Sequence, residues 1–356
     1  MPSESPLVVN GRFLTHVPTG VQRYAREVVR ELGHLVPLVV LAPPGALIDA
    51  DLGVEVRQVG GRGGHPWEQF DLPRHLRRSG SPLLLSLANT GPARYRPQIV
   101  THHDIAWLRH PESFARSFRT LYGIVIPRLL AQSERVITVS DFSARELAGG
   151  LRIDPAKIRV VPAAVSEDFD PTGPRHDEGE PYLLAVSSPN RHKNFDALVD
   201  AFVGARLSHI RRLLIVGRQA RAFRAGETVV HERVRFVGRV DDQHLQELYR
   251  GAVGFAFPSL YEGFGLPPLE AQRLGTPVLA ARAASMPEVL GDGAVWVDPH
   301  DVDDIRRGIE RLDGDPELRA ELVRAGWANE KRFSWTASAQ SVARIVDEVR
   351  RGETAR

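Results

Sequence analysis

What constrains this chain most is a recurring local pattern: a short apolar run, a turn that in most cases holds glycine or proline, then a stretch with helical apolar spacing. Residues 7–9, 38–41, 54–59, 83–87, 99–100 and 136–139 are such runs in the first half. Residues 182–186, 212–216, 234–237, 255–258, 278–280 and 294–297 repeat the pattern in the second. Strands that alternate with helices build parallel α/β sheets rather than barrels of hairpins. At 356 residues the chain is long enough for two domains, each with its own core. We read a first domain over 1–165, a linker rich in Pro, Gly and charge over 166–181, a second domain over 182–334 and a last helix over 335–356.

The stretch 261–271, YEGFGLPPLEA, concentrates the chemistry. Gly263 and Gly265 permit positive φ and let backbone amides come close to a ligand. Pro267 and Pro268 set φ for a first helical turn, where a missing N–H costs nothing. Strand, glycine turn and helix start together offer free N–H groups at the positive end of a dipole, suited to phosphate or sugar oxygens. Glu262 and Glu270 flank that cradle, and a carboxylate there can accept two hydrogen bonds from vicinal hydroxyls. The same residues also read as a plain loop followed by an acidic helix turn.

Residues 7–32 repeat the logic, with Gly11 and Gly20 in the loop and a helix marked by Val21, Tyr24, Val28 and Leu32. Gly20 either lets backbone approach a phosphate or an acceptor, or only punctuates the loop. Thr101, His102, His103 and Asp104 stand at the carboxyl end of a strand, where open α/β sheets bind ligands. The paired histidines lack a third ligand at metal spacing. Asp168 and Asp170 fall in the linker, and Asp301 reads as a helix N-cap beside Asp303, so neither pair is taken for a metal site. Lys193 stands beside a helix start, where the dipole disfavours a cation and an anion or solvent must justify it.

Residues 113–132 read as a long helix with a core-facing stripe of Phe114, Phe118, Leu121, Tyr122, Val125 and Leu129. Arg109, Arg116, Arg119 and Arg128 surround it, and Arg74, His75, Arg77 and Arg78 end an earlier helix. These basic groups are either solvated faces or a peripheral contact with an anionic membrane. Ser140 and Ser143 are both helix-capping types, and Ser143 with Glu146 three residues on spells a capping box. A net charge of +2 gives no reason to expect nucleic acid as partner. The absence of cysteine excludes disulfides and thiolate metal sites. With neither a signal-like start nor an apolar run of membrane-spanning length, a cytoplasmic location is expected.

Glu262 and Glu270, with seven residues between them around GFG, resemble the Glu-x7-Glu motif of glycosyltransferase family 4. GVQRYARE (20–27), HHDIAW (102–107), TVSDFSARE (138–146), MPEVLGDGAVWVDP (286–299) and RFSW (332–335) are similar to family segments in the same order, over nearly the whole chain. The resemblance implies the GT-B fold, two Rossmann-like domains whose parallel sheets face across a cleft, with the last helix crossing back to the first domain. It implies a retaining hexosyltransferase that uses a nucleotide-diphosphate sugar, without a metal or other cofactor, on a saccharide or lipid-linked saccharide in polysaccharide or glycoconjugate biosynthesis. GDP-mannose is the first expectation, because GVQRYARE and the HD segment are similar to mannosyl- and rhamnosyltransferases. UDP-glucose and dTDP-rhamnose are the alternatives.

Carried onto this sequence, the resemblance gives Glu262 to the donor sugar, Glu270 to the ribose, and the backbone at Gly263, Phe264, Gly265 and Leu266 to sugar or phosphate oxygens. Lys193 and Arg191 bind the diphosphate, Arg191 replacing an arginine the family carries where this chain has Ser187 and Ser188. Gly217 and Val240 lie near the base, Gly20 near a phosphate or the acceptor, and His103 near the reacting carbon, with His102 as the substitute. His103, Lys193 and Glu262 form the implied catalytic set, in a front-face displacement where the leaving phosphate takes the acceptor's proton. Ala163 and Ala164 stand where the family has an Asn-Gly pair. Two rivals are a different GT-B enzyme (an epimerase or phosphorylase) and a nucleotide-sugar-binding protein without turnover. A nicotinamide dehydrogenase is disfavoured because no G-x-G-x-x-G follows the first strand.

Overall fold

The computed structural model describes residues 6–16, 19–47, 52–186, 190–217 and 231–353. It forms two compact units, one of Met1–Ala163 with Phe333–Arg356 and the other of Ala164–Arg332. The first holds β1 (Leu7–Asn10), β2 (Leu38–Ala42), β3 (Glu55–Gln58), β4 (Leu84–Ser86), β5 (Gln98–Thr101), β6 (Arg135–Thr138) and β7 (Ile158–Val160). They pair in the order β3-β2-β1-β4-β5-β6-β7, every pair parallel. Val8 sits between Val39 and Leu84 in register, and β1 is buried along its length, as a parallel strand between helix layers must be. The edge strand β3 exposes Glu55 and Arg57, charges that blunt a free edge.

The helix Gly20–Gly33 buries Tyr24, Val28, Val29 and Leu32, one face at helical spacing. The last helix, Trp335–Arg350, packs along it in the same unit. Thr336 Oγ1 donates to Glu31 Oε2 at 2.9 Å, Ser338 Oγ donates to the Pro162 carbonyl at 2.7 Å, and Trp335 meets Tyr24 edge-on at 5.7 Å.

Two expectations need correction here. The helix read over 113–132 begins at Arg116 and buries only Ile126, Leu129 and Leu130, while Leu121 and Ile124 are 41% and 53% exposed. Its stripe is core only over the last turns, and Phe118 and Tyr122 cover each other instead, stacked at 3.9 Å. The cap of the helix Asp141–Leu151 is Ser140, whose Oγ accepts from the Ser143 amide at 3.0 Å. Ser140 leaves β6 one turn earlier and reaches that amide first. Glu146 is thereby left for Arg109, with bonds of 2.7 and 3.0 Å.

The second unit holds β8 (Tyr182–Val186), β9 (Arg212–Val216), β10 (Val234–Gly238), β11 (Gly254–Phe257), β12 (Val278–Ala281) and β13 (Ala294–Val297). Their order is β10-β9-β8-β11-β12-β13, again all parallel. Leu183, Ala185, Ala256 and Leu279 pack against Leu198, Phe202, Ile305 and Ile309 from the helices Phe195–Gly204 and Val302–Gly314. Each fully buried Leu, Ile or Phe of this kind contributes about 1.5–3 kcal/mol. Asp313 ties in the turn before β9 by accepting from the amides of Ser208, His209 and Ile210 at 2.6, 3.0 and 2.5 Å. Residues 166–181 lie against this unit, where Arg273 Nε donates to the Phe169 carbonyl at 2.8 Å and Arg250 to those of Asp170 and Pro174 at 2.6 Å each.

In each sheet the winding reverses in the middle, between β1 and β4 in the first and between β8 and β11 in the second. Open α/β sheets take ligands beyond the carboxyl ends of the strands at such a point.

Candidate active site

In the second unit the two loops that leave the reversal point carry the residues singled out by sequence. Past β8, residues 187–189 with Ser187 and Ser188 lie outside the described residues; the chain then makes the turn Arg191–Lys193. Asn194 ends the turn in the left-handed region at φ 60° and donates its side-chain amide to the carbonyls of Pro258 at 3.2 Å and Pro299 at 2.7 Å. The Leu260 amide donates back to the His192 carbonyl at 2.8 Å. The β8 and β11 loops are thus fastened together by backbone and amide bonds.

The consequence is a contact between Lys193 Nζ and Glu262 Oε1 at 2.6 Å, with side chains only 17% and 13% exposed. Lys193 Nζ also stands 5.9 Å from the centre of the Phe257 ring, within cation–π range. The loop behind Glu262 is braced by Ser285, whose hydroxyl lies 3.0 Å from the Glu262 carbonyl and 3.1 Å from that of Phe264. Gly265 precedes the helix Leu266–Arg273 at φ 96°, and a Cβ there would come within 2.3 Å of Met286 Cε. A glycine is required on both counts. Glu270 lies on this helix, 6% exposed, and accepts from the Tyr249 hydroxyl at 3.3 Å.

Gly217 and Val240 follow β9 and β10 at the same edge of the sheet, and the Gly217 amide donates to the Gly238 carbonyl at 2.8 Å. Arg191 is exposed on the turn that carries Lys193. Sequence reading missed Ser259, which is 1% exposed in the loop leaving β11, its Oγ without a hydrogen-bond partner among the described residues. A lone serine after FAFP carries no signal that separates it from ordinary loop chemistry.

In the first unit His103 follows β5. Its Nε2 donates to the Leu87 carbonyl at 3.2 Å, its amide donates to Asn89 Oδ1 at 2.8 Å, and its ring meets Tyr24 edge-on at 4.8 Å. Burial pushes its pKa down to about 4, so the ring is neutral at pH 7. His102, at 1% exposure, is also pushed down by burial and donates Nδ1 to the Asn89 carbonyl at 2.9 Å. Gly20 opens the helix that brings Tyr24 to His103.

Sequence reading also missed a buried polar cluster beyond β1 and β4. Glu68 Oε1 accepts from Asn10 Nδ2 at 2.8 Å, Arg12 Nε at 3.0 Å and Thr90 Oγ1 at 3.0 Å. Burial would raise the Glu68 pKa, but the Arg12 charge and the contacts from His65 and Asn10 outweigh it and hold the carboxyl below its ordinary value. Asp301 caps the helix Val302–Gly314 by accepting from the Asp303 amide at 2.9 Å.

Two family models match consecutive stretches of the chain, Glycosyltransferase Family 4 over residues 18–169 and Glycosyl transferases group 1 over residues 166–328. O-antigen chain mannosyltransferase B of Escherichia coli is 31% identical over 264 residues, 68% of each chain. Sucrose-phosphate synthase from Thermosynechococcus elongatus has the same fold, with a TM-score of 0.77 at 18% identity over 98% of this chain and 99% of that one. Anabaena Alr3699/HepE in complex with UDP-glucose gives 0.72 at 16% identity, over 96% and 99%. With two parallel Rossmann-like sheets and both family models matched in sequence order, the chain belongs to glycosyltransferase family 4 and has the GT-B fold.

Proposed function

We propose that this glycosyltransferase is a retaining hexosyltransferase that moves mannose from GDP-mannose to a saccharide or lipid-linked saccharide in polysaccharide assembly. UDP-glucose and dTDP-rhamnose are the alternative donors. The observation that carries the reading is the Lys193–Glu262 pair, set at the reversal point of the second sheet beside the start of the helix Leu266–Arg273. The name of the Escherichia coli relative supports mannose and surface polysaccharide, and the UDP-glucose in the Anabaena structure supports a nucleotide sugar.

In this mechanism the donor's diphosphate displaces Glu262 from Lys193, and Arg191 and the amides at the helix start add further donors. Glu262, released, accepts from hydroxyls of the donor sugar, and Glu270 accepts from the ribose. As the glycosidic bond breaks, charge gathers on the leaving phosphate, and Lys193 interacts with it more strongly than in the ground state. The leaving phosphate takes the acceptor's proton, and the new bond forms on the face the old one left. His103 keeps the role that the family resemblance implies, as a neutral ring that hydrogen-bonds rather than carries charge. Lys193 supplies the counter-charge that a metal would otherwise provide, so turnover is proposed to need no metal.

Among the described residues no helix is long and apolar enough to cross a membrane. A cytoplasmic location with peripheral association is the companion proposal, supported by exposed Leu121 and Ile124 beside Arg116 and Arg128 on one helix. The test is turnover of the three sugar nucleotides with and without a saccharide acceptor, in excess EDTA, with the product anomer read by NMR. Acceptor-dependent consumption of GDP-mannose with retained configuration is expected. Inversion, donor hydrolysis indifferent to acceptor, or binding without turnover overturns the proposal.

A further inference from the structure

The second unit has another concave site, on the edge of its sheet opposite Lys193 and Glu262. A cleft of about 550 Å³ opens beneath the segments that enter β11 and β12, lined by Arg175, Arg250, Arg319, Arg324, His209 and Trp327. No acidic residue lines it. The charges of the two inner arginines are not cancelled by what holds them. Arg250 gives its guanidinium to the carbonyls of Asp170 and Pro174 and to Gln246 Oε1, and Arg319 to the carbonyls of Leu312 and Asp313 at 2.5 and 2.9 Å. Neutral oxygens satisfy the donors and fix the forks, but the positive charge remains. Asp170, whose carboxyl is held low first by hydrogen bonds from Thr172 and also by the Arg250 charge, spends its oxygens on the Thr172 amide and hydroxyl at 2.7 to 2.9 Å. The side chains of Arg175 and Arg324 are exposed, with no ion pair or hydrogen bond among the described residues.

Trp327 completes the cleft. It is 44% exposed, yet its Nε1 donates to the Arg273 carbonyl at 3.2 Å and its ring rests on Gly275, where a Cβ would stand 3.1 Å from Cζ2. A fixed aromatic face beside four guanidinium groups is the combination that binds a multiply charged anion attached to a flat or apolar group. We propose that this cleft is a second anion site of the enzyme, separate from the donor site, which takes a phosphate-bearing ligand either free in solution or as a lipid headgroup.

Inorganic tripolyphosphate titrated calorimetrically at low salt tests the free form, and vesicles of phosphatidylglycerol against phosphatidylcholine test the headgroup. The full chain is compared with the double variant Arg175→Glu/Arg324→Glu and with Lys193→Ala. The double variant should lose about tenfold or more in affinity, the size expected when charged hydrogen bonds are removed. It should keep its melting temperature and its transferase turnover, and Lys193→Ala should lose only the share of tripolyphosphate binding that belongs to the donor site and keep the binding that the double variant loses. Loss confined to tripolyphosphate identifies a free ligand, and loss confined to phosphatidylglycerol vesicles identifies a headgroup; either supports the site. If neither probe binds, if both bind the double variant like wild type, or if Lys193→Ala alone abolishes binding, there is no second site.

Discussion

Lys193 and Glu262 lie 69 positions apart and meet at 2.6 Å, each from the loop that leaves one of the two strands flanking the reversal point of the second sheet. The contact joins the cation assigned to the donor's diphosphate to the carboxylate assigned to its sugar. Neither loop supplies both. The pair holds each side chain in place before a ligand arrives, and a diphosphate brings more negative charge to Lys193 than one carboxylate can. In the proposed cycle, donor binding therefore exchanges one partner for another rather than burying a bare cation.

Glu270→Ala should weaken binding of nucleoside diphosphates roughly ten- to a hundredfold, because it removes hydrogen bonds to a charged acceptor contributing about 1.5–3 kcal/mol. Tyr249→Phe should cost less, since its 3.3 Å bond to Glu270 only steadies the carboxylate. Calorimetric titration with GDP, UDP and dTDP checks both. If all three bind Glu270→Ala as tightly as wild type, Glu270 does not hold the ribose.

Most strands of the two sheets were legible as short apolar runs, which need nothing long-range to be seen, whereas the edge strand β7, three half-buried residues, was not. Glu262 and Glu270 were legible for the same reason, since one loop and one helix turn contain both. The pairing of Lys193 with Glu262 was not, because it depends on two strands lying side by side across a sheet. The Glu68 cluster was hidden differently. A glutamate in a helical stretch reads as solvent-facing, and only the approach of Asn10, Arg12 and Thr90 from other segments makes it a buried acceptor. The exposed half of the helix Arg116–Gln132 shows the converse, an apolar stripe that periodicity alone assigns to a core.

Gly265→Ala should destabilise the protein by about 1–3 kcal/mol, through strain at φ 96° and the 2.3 Å approach of a Cβ to Met286 Cε. Adding Met286→Ala removes the clash but not the backbone strain, so the double variant should melt below Met286→Ala alone. Thermal melts of the three variants check this. A double variant at least as stable as Met286→Ala would mean the turn does not need glycine.

His103 ties stability to pH. Its folded pKa, about 4, lies below the ordinary value near 6.5, so the unfolded chain binds the extra proton between those values. Stability on this account is complete above about pH 6.5 and falls as pH drops towards 4, by on the order of 3 kcal/mol in all. His103→Gln should flatten that fall, with His102 contributing what slope remains. Melting temperatures of both proteins from pH 7 to pH 5 are the check, and identical slopes would contradict a buried neutral His103.

The central claim is that Lys193 stabilises charge on the departing diphosphate. Steady-state kinetics of Lys193→Ala, with donor varied at saturating acceptor, test it most directly. Both bound donor and transition state carry phosphate charge, but only the increase between them accelerates the reaction. The account predicts a fall in kcat of about 10²–10³, the size seen when one preorganised donor is removed, with a smaller change in KM. Lys193→Arg should recover part of the loss, since a planar fork does not reproduce a compact ammonium. An unchanged kcat for Lys193→Ala, whatever happens to KM, would contradict it.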